Sequence, residues 1–333
     1  MTTDGTSSTT QGINRRQALI RLLRLGAVGA SVAGLGAWLS GRSHRPIEAV
    51  ITNAKRSHTV APDASFPDVV IVEGGEPAQL VQAALRELGG MARFVSRNDV
   101  VLVKPNIGWD RTPEQAANTN PEVVAEVVRQ CLSAGARIVM VTDVSCNDAR
   151  RCFQRSGIAE AARQAGAQVL LPDPSQFKDV DLEGEVLRSW PVFEPFLSAD
   201  KIINIPIAKH HSLSGATLGM KNWFGMLGGA RNQLHQRIHE SLVDLADFVR
   251  PTLTLVDCYR VLVRNGPTGG SLEDVALHKT VVAGTDPVAI DAYVAKRYWN
   301  LDVDAMPYLK LASQRGLGSY EFDTVKSTFV KLS

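Results

Sequence analysis

Short apolar runs alternate with longer segments of helical periodicity along most of the chain. The runs are rich in Val and Ile, as is typical of buried strands, and they lie at 69–72, 100–103, 138–141, 168–171, 202–207, 253–256 and 279–283. Helical periodicity, often beginning at a proline, predicts helices over 77–88, 121–131, 149–155 and 237–249, and another that begins at 287. This alternation predicts an α/β fold with a mainly parallel sheet, right-handed crossovers and helices on both faces.

The predicted domain organisation follows from where this alternation begins and where it is interrupted. An irregular insertion around 172–200, which contains Trp190 and several phenylalanines, predicts a hairpin or flap over the sheet. No Pro/Ser-rich linker or internal repeat divides 68–333, so we expect a single α/β domain there. Residues 46–67 lack periodicity and predict a linker, and residues 1–45 form a separate N-terminal segment.

The N-terminal segment has the order of a twin-arginine export signal. Arg15 and Arg16 precede an apolar stretch from Leu25 to Leu39. This order predicts that the twin-arginine export machinery is a partner and that the protein is periplasmic or otherwise extracytoplasmic. The stretch lacks a clear Ala-x-Ala site after Trp38 and is shorter than the ~20 residues that span a bilayer. An uncleaved segment would anchor the protein, and membrane contact is expected only there; a cytosolic amphipathic arm is the alternative.

Composition narrows the class of partner. With 333 residues, 44% of them hydrophobic and 21% charged, the chain is long enough to bury a sizeable core. The net charge is only +2, several cations lie in the N-terminal segment, and 6% of residues are aromatic. Nucleic acid is therefore not an expected partner, because phosphate binding needs a concentrated basic face.

The cysteine pattern bears on cofactors. The four cysteines, Cys131, Cys146, Cys152 and Cys258, include no C-x-x-C pair, so neither an iron–sulfur cluster nor a structural zinc site is expected. In an oxidising compartment Cys146 and Cys152 would be placed to form a small disulfide. Buried thiols that pack as small hydrophobic groups are the alternative.

Polar side chains follow several of the predicted strands. Lys104 and Asn106 follow the strand at 100–103, and Asp143 follows the strand at 138–141. The stretch 201–227 is the densest: after the strand at 202–207 come Lys209 and two histidines, and then a predicted helical segment that carries Lys221 and Asn222. Ligands of open α/β sheets bind beyond the carboxyl ends of the strands, where helix N-termini present free N–H groups to anions. We therefore expect this stretch to form the floor of a site; solvated lysines and histidines bonded to loop carbonyls are the structural alternative.

Further candidates lie nearer the C-terminus. His239 lies at the start of the predicted helix 237–249, where the helix dipole disfavours an imidazolium, so a neutral ring suited to metal binding or hydrogen-bond acceptance is expected. Asp257 follows the strand at 253–256. The loop 264–270, with Asn265, would either wrap backbone N–H groups around an anion or form a wide surface turn. Asp286 or Thr285 is expected to cap the helix at 287.

Several ordered motifs resemble one family. They are VLVKPNIGW, NTNPEVV, INIPIAKHHSLSGATLGMKNWFGML, HESLVDLADFVRPTLTLVD, RNGPTGG and VVAGTDPVAIDAYVAKRYW. Together, over about residues 69–300, they are similar to the family known as domain of unknown function 362. Many members of that family carry a ferredoxin-like cysteine run, which this sequence lacks. The resemblance implies that the family's motif positions are Lys104, Asn106, Asn204, Lys209, His211, Lys221, Asn222, His239, Asp257, Asn265 and Asp286.

The expected chemistry follows from the charges. Lys104, Lys209 and Lys221 would favour a small anionic ligand, with Asp143, Asp257 and Asp286 as balancing carboxylates. Crowded ammonium groups lower one another's pKa, so one lysine can act as a base or nucleophile. Lys221 is the candidate because it lies on a predicted helical segment beside Asn222, and His211 or His239 is the candidate acid/base partner. The sequence thus predicts an exported enzyme acting on a small anion by acid–base or cofactor-assisted chemistry.

Two alternatives to this enzyme remain open at the level of sequence. One is a divalent metal site built from His211, His239 and Asp257. The other is a periplasmic carrier that binds an anion or a metallocofactor without turnover. No Walker loop, dinucleotide fingerprint or nucleophile elbow is present to support other chemistries.

Overall fold

The computed structural model describes residues 51–52 and 54–333, which belong to one compact unit. The predicted twin-arginine segment, 1–45, lies outside the described residues. The strands are β1 (Val69–Glu73), β2 (Val100–Pro105), β3 (Ile138–Val141), β4 (Gln168–Val169), β5 (Phe177–Asp181), β6 (Ser189–Phe193), β7 (Lys201–Ile205), β8 (Ile207–His211), β9 (Gly215–Thr217), β10 (Leu253–Leu262), β11 (Val275–Gly284) and β12 (Ser327–Lys331). The α-helices are α1 (Pro77–Glu87), α2 (Pro121–Ser133), α3 (Ala149–Arg155), α4 (Ile158–Gln164), α5 (Pro195–Ser198), α6 (Ile238–Val249), α7 (Pro287–Trp299) and α8 (Tyr308–Gln314).

One large sheet organises the described residues, in the strand order β12-β1-β11-β10-β7-β2-β3-β4. The pairs β10–β7, β7–β2, β2–β3 and β3–β4 are parallel, whereas β11 runs antiparallel to both of its neighbours. The predicted fold class, α/β with a mainly parallel sheet, is confirmed. Parallel strands end at the same edge, which is why the polar residues after β2 and β3 come together.

Alternate residues of each strand pack into two different cores. In β1, Val69 and Ile71 join one core with α6, α7 and α8, while Val70 and Val72 join a second core with α1, α2 and α4. Successive side chains of a strand point to opposite faces, so a fully apolar strand needs helices on both sides. The sheet is therefore covered on both faces, as the aliphatic runs predicted.

The structure corrects three local expectations near the candidate site. The run predicted as one strand, 202–207, is divided at Pro206 into β7 and β8, and β8 carries Lys209 and His211 within a strand. A turn then leads into β9, which pairs antiparallel with β8, so no strand-to-helix crossover follows the histidines. The segment 221–226 is a 3₁₀ helix. Strand β10 continues to Leu262, so Asp257 lies within it and not after it.

The insertion and the described part of the predicted linker, 51–52 and 54–67, both pack against the domain. Strands β5 and β6 form an antiparallel hairpin within 172–200, and Val180 and Val192 of this hairpin are buried in the first core. Before β1, Lys55 pairs with Asp247 at 2.7 Å and the His58 side chain is 6% exposed. Across 51–52 and 54–333, no helix has both the length and the apolarity needed to cross a membrane.

Candidate functional site

The carboxyl ends of β2 and β3, strand β8 and the 3₁₀ helix 221–226 surround one cavity of about 680 Å³. Its lining includes eight polar or charged side chains that bear on the chemistry: Asn106, Asp143, Lys209, His211, Lys221, Asn222, Arg231 and His235. Six of these were predicted from the sequence, and the structure brings them together. The cavity lies where ligands of open α/β sheets bind.

A buried ion pair lies in the wall of this cavity. Lys104 Nζ donates to Asp143 Oδ1 at 2.6 Å, and the two side chains are 0% and 2% exposed. The same Nζ donates to the Pro105 carbonyl at 2.9 Å and to Asn222 Oδ1 at 3.2 Å. Burial lowers the pKa of Lys104, and the Asp143 carboxylate opposes this effect. With three acceptors around its Nζ, Lys104 is fully engaged within the protein.

Three asparagines connect this ion pair to the second lysine. Asn222 Oδ1 accepts from Asn106 Nδ2 at 3.0 Å, and Asn222 Nδ2 donates to Asn204 Oδ1 at 2.9 Å. Asn106 Oδ1 in turn accepts from Lys209 Nζ at 2.9 Å, and Lys209 Nζ also donates to the Ala117 carbonyl at 2.5 Å. Asn204, although predicted to line the site, is therefore a supporting residue behind it. The network fixes the positions of the lysines because every amide in it has partners.

Burial lowers the pKa of Lys209 to about 7, and the ammonium groups of Lys221 and Lys104 add to the effect. Asp143 and Cys146 oppose it. Lys209 is held by two hydrogen bonds, which leaves one of its three ammonium protons without a protein acceptor among the described residues. Because the side chain lines the cavity, a ligand there can accept that proton in a hydrogen bond.

Lys221 has a different environment from the other two lysines. Its side chain is 8% exposed, and its Nζ lies 4.0 Å from the centroid of the Phe224 ring. Among the described residues, no carboxylate or other acceptor lies within hydrogen-bond distance of Lys221 Nζ. Burial lowers the pKa of Lys221 to about 8, Arg231 lowers it further, and Cys146 opposes the shift. Because Lys221 lines the cavity, a ligand there can accept hydrogen bonds from its Nζ that no described residue accepts.

Two histidines lie beside Lys221. His211 is 6% exposed, and its Nδ1 accepts the Leu213 backbone N–H at 3.1 Å, so a neutral ring carries its proton on Nε2. Burial lowers the pKa of His211 to about 3, with Lys221 as the next cause. In His235, Nδ1 faces the Asn232 carbonyl at 3.0 Å and must donate, which leaves Nε2 as an acceptor. Burial also lowers the pKa of His235.

Three residues of the cavity were not predicted as site residues: Arg231, His235 and Cys146. Arg231 donates to the Phe224 and Ser145 carbonyls at 2.9 and 2.8 Å, and its Nη2 lies 3.5 Å from Cys146 Sγ. All four cysteines are free, and Cys146 is exposed. The sequence signal was the cluster of polar residues after Gly229, but that segment has no strand or α-helix periodicity to place it, and it folds as a 3₁₀ helix over 231–237.

Four predicted site residues serve structural contacts away from the cavity. His239 stacks on Tyr308 with ring centroids 6.3 Å apart. Asn265 Nδ2 donates to Asp274 Oδ2 at 2.9 Å. Asp286 caps α7 by accepting the N–H groups of 288 and 289. Asp257 accepts the backbone N–H groups of 120 and 259, and burial raises its pKa to about 6. Three of these residues were predicted at the ends of elements and Asn265 in the loop 264–270, but all four side chains make contacts within their own surroundings.

The predicted metal set of His211, His239 and Asp257 is not assembled. The three residues lie on β8, on α6 and in the middle of β10, and their side chains have different partners. His211 accepts from the backbone of 213, His239 stacks on a tyrosine, and Asp257 accepts two backbone N–H groups. In the region that the structure describes, no three His, Cys, Asp or Glu side chains are grouped so as to hold a metal ion. His239 Nδ1 has no hydrogen-bond partner there, which fits its stacked, buried position.

Fold and cavity together define an α/β protein with a lysine-rich pocket at the carboxyl edge of its parallel strands. The chain belongs to the family described as Domain of unknown function (DUF362), whose model matches residues 101–296, a range that includes every residue lining the cavity. The family membership predicted from the motifs is confirmed.

The known proteins that are similar to the chain include these two. A thylakoid-associated protein from Synechocystis sp. is 28% identical over 261 residues, which cover 74% of this chain and 76% of that protein. The lactate racemase apoprotein from Thermoanaerobacterium thermosaccharolyticum is a more distant structural neighbour, with a TM-score of 0.36 and 11% identity. That alignment covers 66% of this chain and 55% of the other, so the chain spans about half the length of that protein.

Proposed function

We propose that this protein is an enzyme that binds a small anionic molecule in the 680 Å³ cavity and acts on it through Lys221 with His211 and His235. The observation that carries the proposal is the unpartnered Lys221 ammonium, buried beside Phe224. A cation in that position is stabilised when an anion enters the cavity.

The charge balance of the cavity supports an anionic ligand. Among the described residues that line it, Asp143 is the only acidic one, and Lys104 already neutralises that carboxylate. Lys209, Lys221 and Arg231 therefore present their charges without a carboxylate partner in the lining. Low-dielectric walls strengthen the attraction between such groups and an anion.

The histidines support turnover in addition to binding. His211 offers Nε2–H as a donor, while His235 offers the Nε2 lone pair as an acceptor. A donor and an acceptor of protons beside a lysine of lowered pKa are groups that acid–base catalysis requires, whereas anion binding needs only donors. No metal is part of the proposal, because the described residues offer no three-ligand set for one.

Ligand binding is tested by thermal unfolding with inorganic phosphate, sulfate, acetate and pyruvate. A ligand at about 100 times its Kd adds about 2.7 kcal/mol to the stability of the form that binds it. We expect at least one of these anions to raise Tm in the wild type and to raise it much less in Lys221→Met. Lys310→Met, the same change at an exposed lysine of α8, is the matched control and should respond like the wild type. Equal responses in all three proteins would refute the site.

Turnover is tested with the ligand that stabilises the protein. NMR in deuterated buffer detects exchange of carbon-bound protons or conversion to a product. An enzyme that moves protons shows such a change with the wild type and loses it in His235→Gln. Stabilisation without any chemical change would instead favour the periplasmic carrier, for which Lys221 contributes affinity only.

We extend the proposal to location. The Arg15–Arg16 pair before the apolar stretch 25–39 supports export by the twin-arginine route. Replacing both arginines by lysine should retain the protein in the cytoplasmic fraction of its host. The matched control replaces Arg150 and Arg151, an exposed pair in α3, and should be exported normally. Unchanged export of the Arg15–Arg16 variant would contradict the proposal.

A further inference from the structure

The three lysines around the cavity divide into two kinds by their contacts. Lys104 Nζ has three acceptors, including a carboxylate, and Lys209 Nζ has two. Lys221 Nζ has only the face of Phe224 at 4.0 Å among the described residues. The acceptors of Lys209 Nζ fix its position and occupy two of its protons, whereas no such contact holds Lys221 Nζ away from a bound ligand. An amine that must form a bond to a ligand has to keep its lone pair accessible.

We propose that the ligand carries a carbonyl group beside its anionic group, as in a 2-oxo acid, and that Lys221 forms an imine with that carbonyl. This inference rests on the proposed function, because it assigns a substrate class and a bond-forming step to the same cavity. The free Nζ–H of Lys209 and the guanidinium of Arg231 would donate to the carboxylate of the substrate. The carbonyl then lies toward Lys221.

The step balances without an oxidant or reductant. The Lys221 nitrogen lone pair forms a bond to the carbonyl carbon as the π pair moves to oxygen, and one proton passes from nitrogen to that oxygen to give a carbinolamine. Uptake of one proton and departure of the hydroxyl group as water leave a protonated imine. Addition of water reverses the sequence and releases the ligand.

Other groups that line the cavity suit this step. His211 Nε2–H can donate to the carbonyl oxygen, and the His235 Nε2 lone pair can accept the proton that leaves nitrogen. Phe224 contacts both Lys221 and His235. Its ring lies under Lys221 Nζ and packs edge-on against the His235 ring, with centroids 5.4 Å apart. The apolar ring and the surrounding burial favour the neutral amine that addition requires.

Imine formation is tested by reductive trapping. The full chain is incubated with glyoxylate, pyruvate or 2-oxoglutarate and sodium cyanoborohydride, and the modified lysine is located by peptide mass spectrometry. We expect at least one oxo acid to label Lys221 at least tenfold faster than the exposed Lys310. Propionate, which lacks the carbonyl of pyruvate, gives no adduct but should compete with labelling.

Two variants separate this inference from the proposed function. Lys221→Met should lose both the adduct and the stabilisation by anions. Lys221→Arg keeps the positive charge, but a guanidinium stays protonated and cannot attack a carbonyl as a neutral amine does. This variant should therefore lose the adduct and still be stabilised by anions. Circular dichroism confirms that each variant is folded.

The results of labelling and of thermal unfolding together distinguish imine formation from anion binding. If anions stabilise the wild type through Lys221 but none of the three oxo acids labels Lys221 faster than Lys310, the imine is refuted and anion binding stands. If anions do not stabilise the protein at all and no labelling is selective, both the inference and the proposed function fail.

Discussion

The imidazole rings of His211 and His235 lie nearly parallel, with centroids 6.0 Å apart and an interplanar angle of 10°. Their hydrogen bonds nevertheless give them opposite tautomers: His211 accepts at Nδ1, whereas His235 donates from Nδ1 to a carbonyl. The pair therefore presents one Nε2 donor and one Nε2 acceptor. Lys221 contributes to a lower pKa in both rings and so opposes the imidazolium form of each.

This relationship predicts the NMR behaviour of the two rings. In nitrogen-detected spectra of the imidazoles, His211 should be the Nε2–H tautomer and should remain neutral down to about pH 5, since its pKa is lowered to about 3. His235 should be the Nδ1–H tautomer and should titrate below the ordinary histidine value. Assignment uses His211→Gln and His235→Gln. An imidazolium signal from His211 near pH 6.5 would contradict the buried, hydrogen-bonded ring.

The Lys104–Asp143 pair makes a prediction about stability. Asp143→Asn removes the carboxylate from a lysine with no exposed surface, and also weakens the acceptor of the Ile107 N–H at 2.6 Å. Breaking a buried pair from one side costs about 3–5 kcal/mol, so the urea midpoint should fall accordingly. The double variant Lys104→Met/Asp143→Leu should be more stable than Asp143→Asn, because it leaves no charge unpaired. A loss below about 1 kcal/mol in the single variant would show that the ion pair is not dry.

Gly225 predicts an effect of a single methyl group. The Cβ of an alanine at 225 would overlap Asp143 Oδ1 and approach Lys104 Nζ at 2.6 Å. We expect Gly225→Ala to destabilise the protein by about 1–3 kcal/mol through overpacking and to disturb the ion pair.

The control for this substitution is Gly108→Ala, in the same cavity. There the added Cβ would meet Asn106 Oδ1 at 3.5 Å and Cys146 Sγ at 3.9 Å, which are ordinary contacts. Chemical denaturation of both variants provides the comparison. Equal effects at 225 and 108 would mean that the close approach at 225 relaxes without cost.

Asp291 predicts a pH dependence of stability. Its carboxylate accepts the Gly219 and Met220 N–H groups at 2.7 and 3.0 Å, directly before Lys221, and burial raises its pKa to about 7. Because the folded-state pKa exceeds the ordinary aspartate pKa of 3.8, the stabilising contribution is complete below about pH 4 and is lost as the pH rises through about 7. Each unit of pKa difference corresponds to about 1.4 kcal/mol.

The measurement compares the free energy of unfolding of the wild type and Asp291→Asn at pH 4 to 8. The variant should lose less stability over this interval than the wild type, since asparagine does not ionise. The difference between the two curves isolates Asp291 from His211 and Asp257, which also titrate in this protein. Parallel curves would show that Asp291 keeps the same protonation state in the folded and unfolded chains.

Much of the fold was predictable because buried strands and amphipathic helices are local patterns. The aliphatic runs located β1, β2, β3 and the start of β10, and Asp286 was correctly expected to cap the following helix. The strand β8 was missed as a separate element because it carries Lys209 and His211, whose polarity hides its pairing with β9 and β10. Pairing between distant segments is a long-range property that hydrophobic periodicity does not encode.

The candidate site was predictable where it follows strand ends. Lys104, Asn106 and Asp143 were found because parallel strands end at one edge of the sheet. His239 was chosen by an argument from the helix dipole, and His235 was not considered. That argument concerns only the protonation of the ring, whereas the fold of 231–237 decides which ring reaches the cavity.

The Lys104–Asp143 pair and Gly225 close one side of the cavity, here called its floor. This closure makes Lys104 a reporter of local opening. Lys104 Nζ has no exposed surface, and the backbone of Gly225 lies directly over the ion pair. An amine-directed reagent can reach Lys104 only when this floor opens, while surface lysines react at any time. The ratio of the two modification rates therefore measures how often the floor opens within an otherwise folded molecule, and a bound ligand should slow that opening.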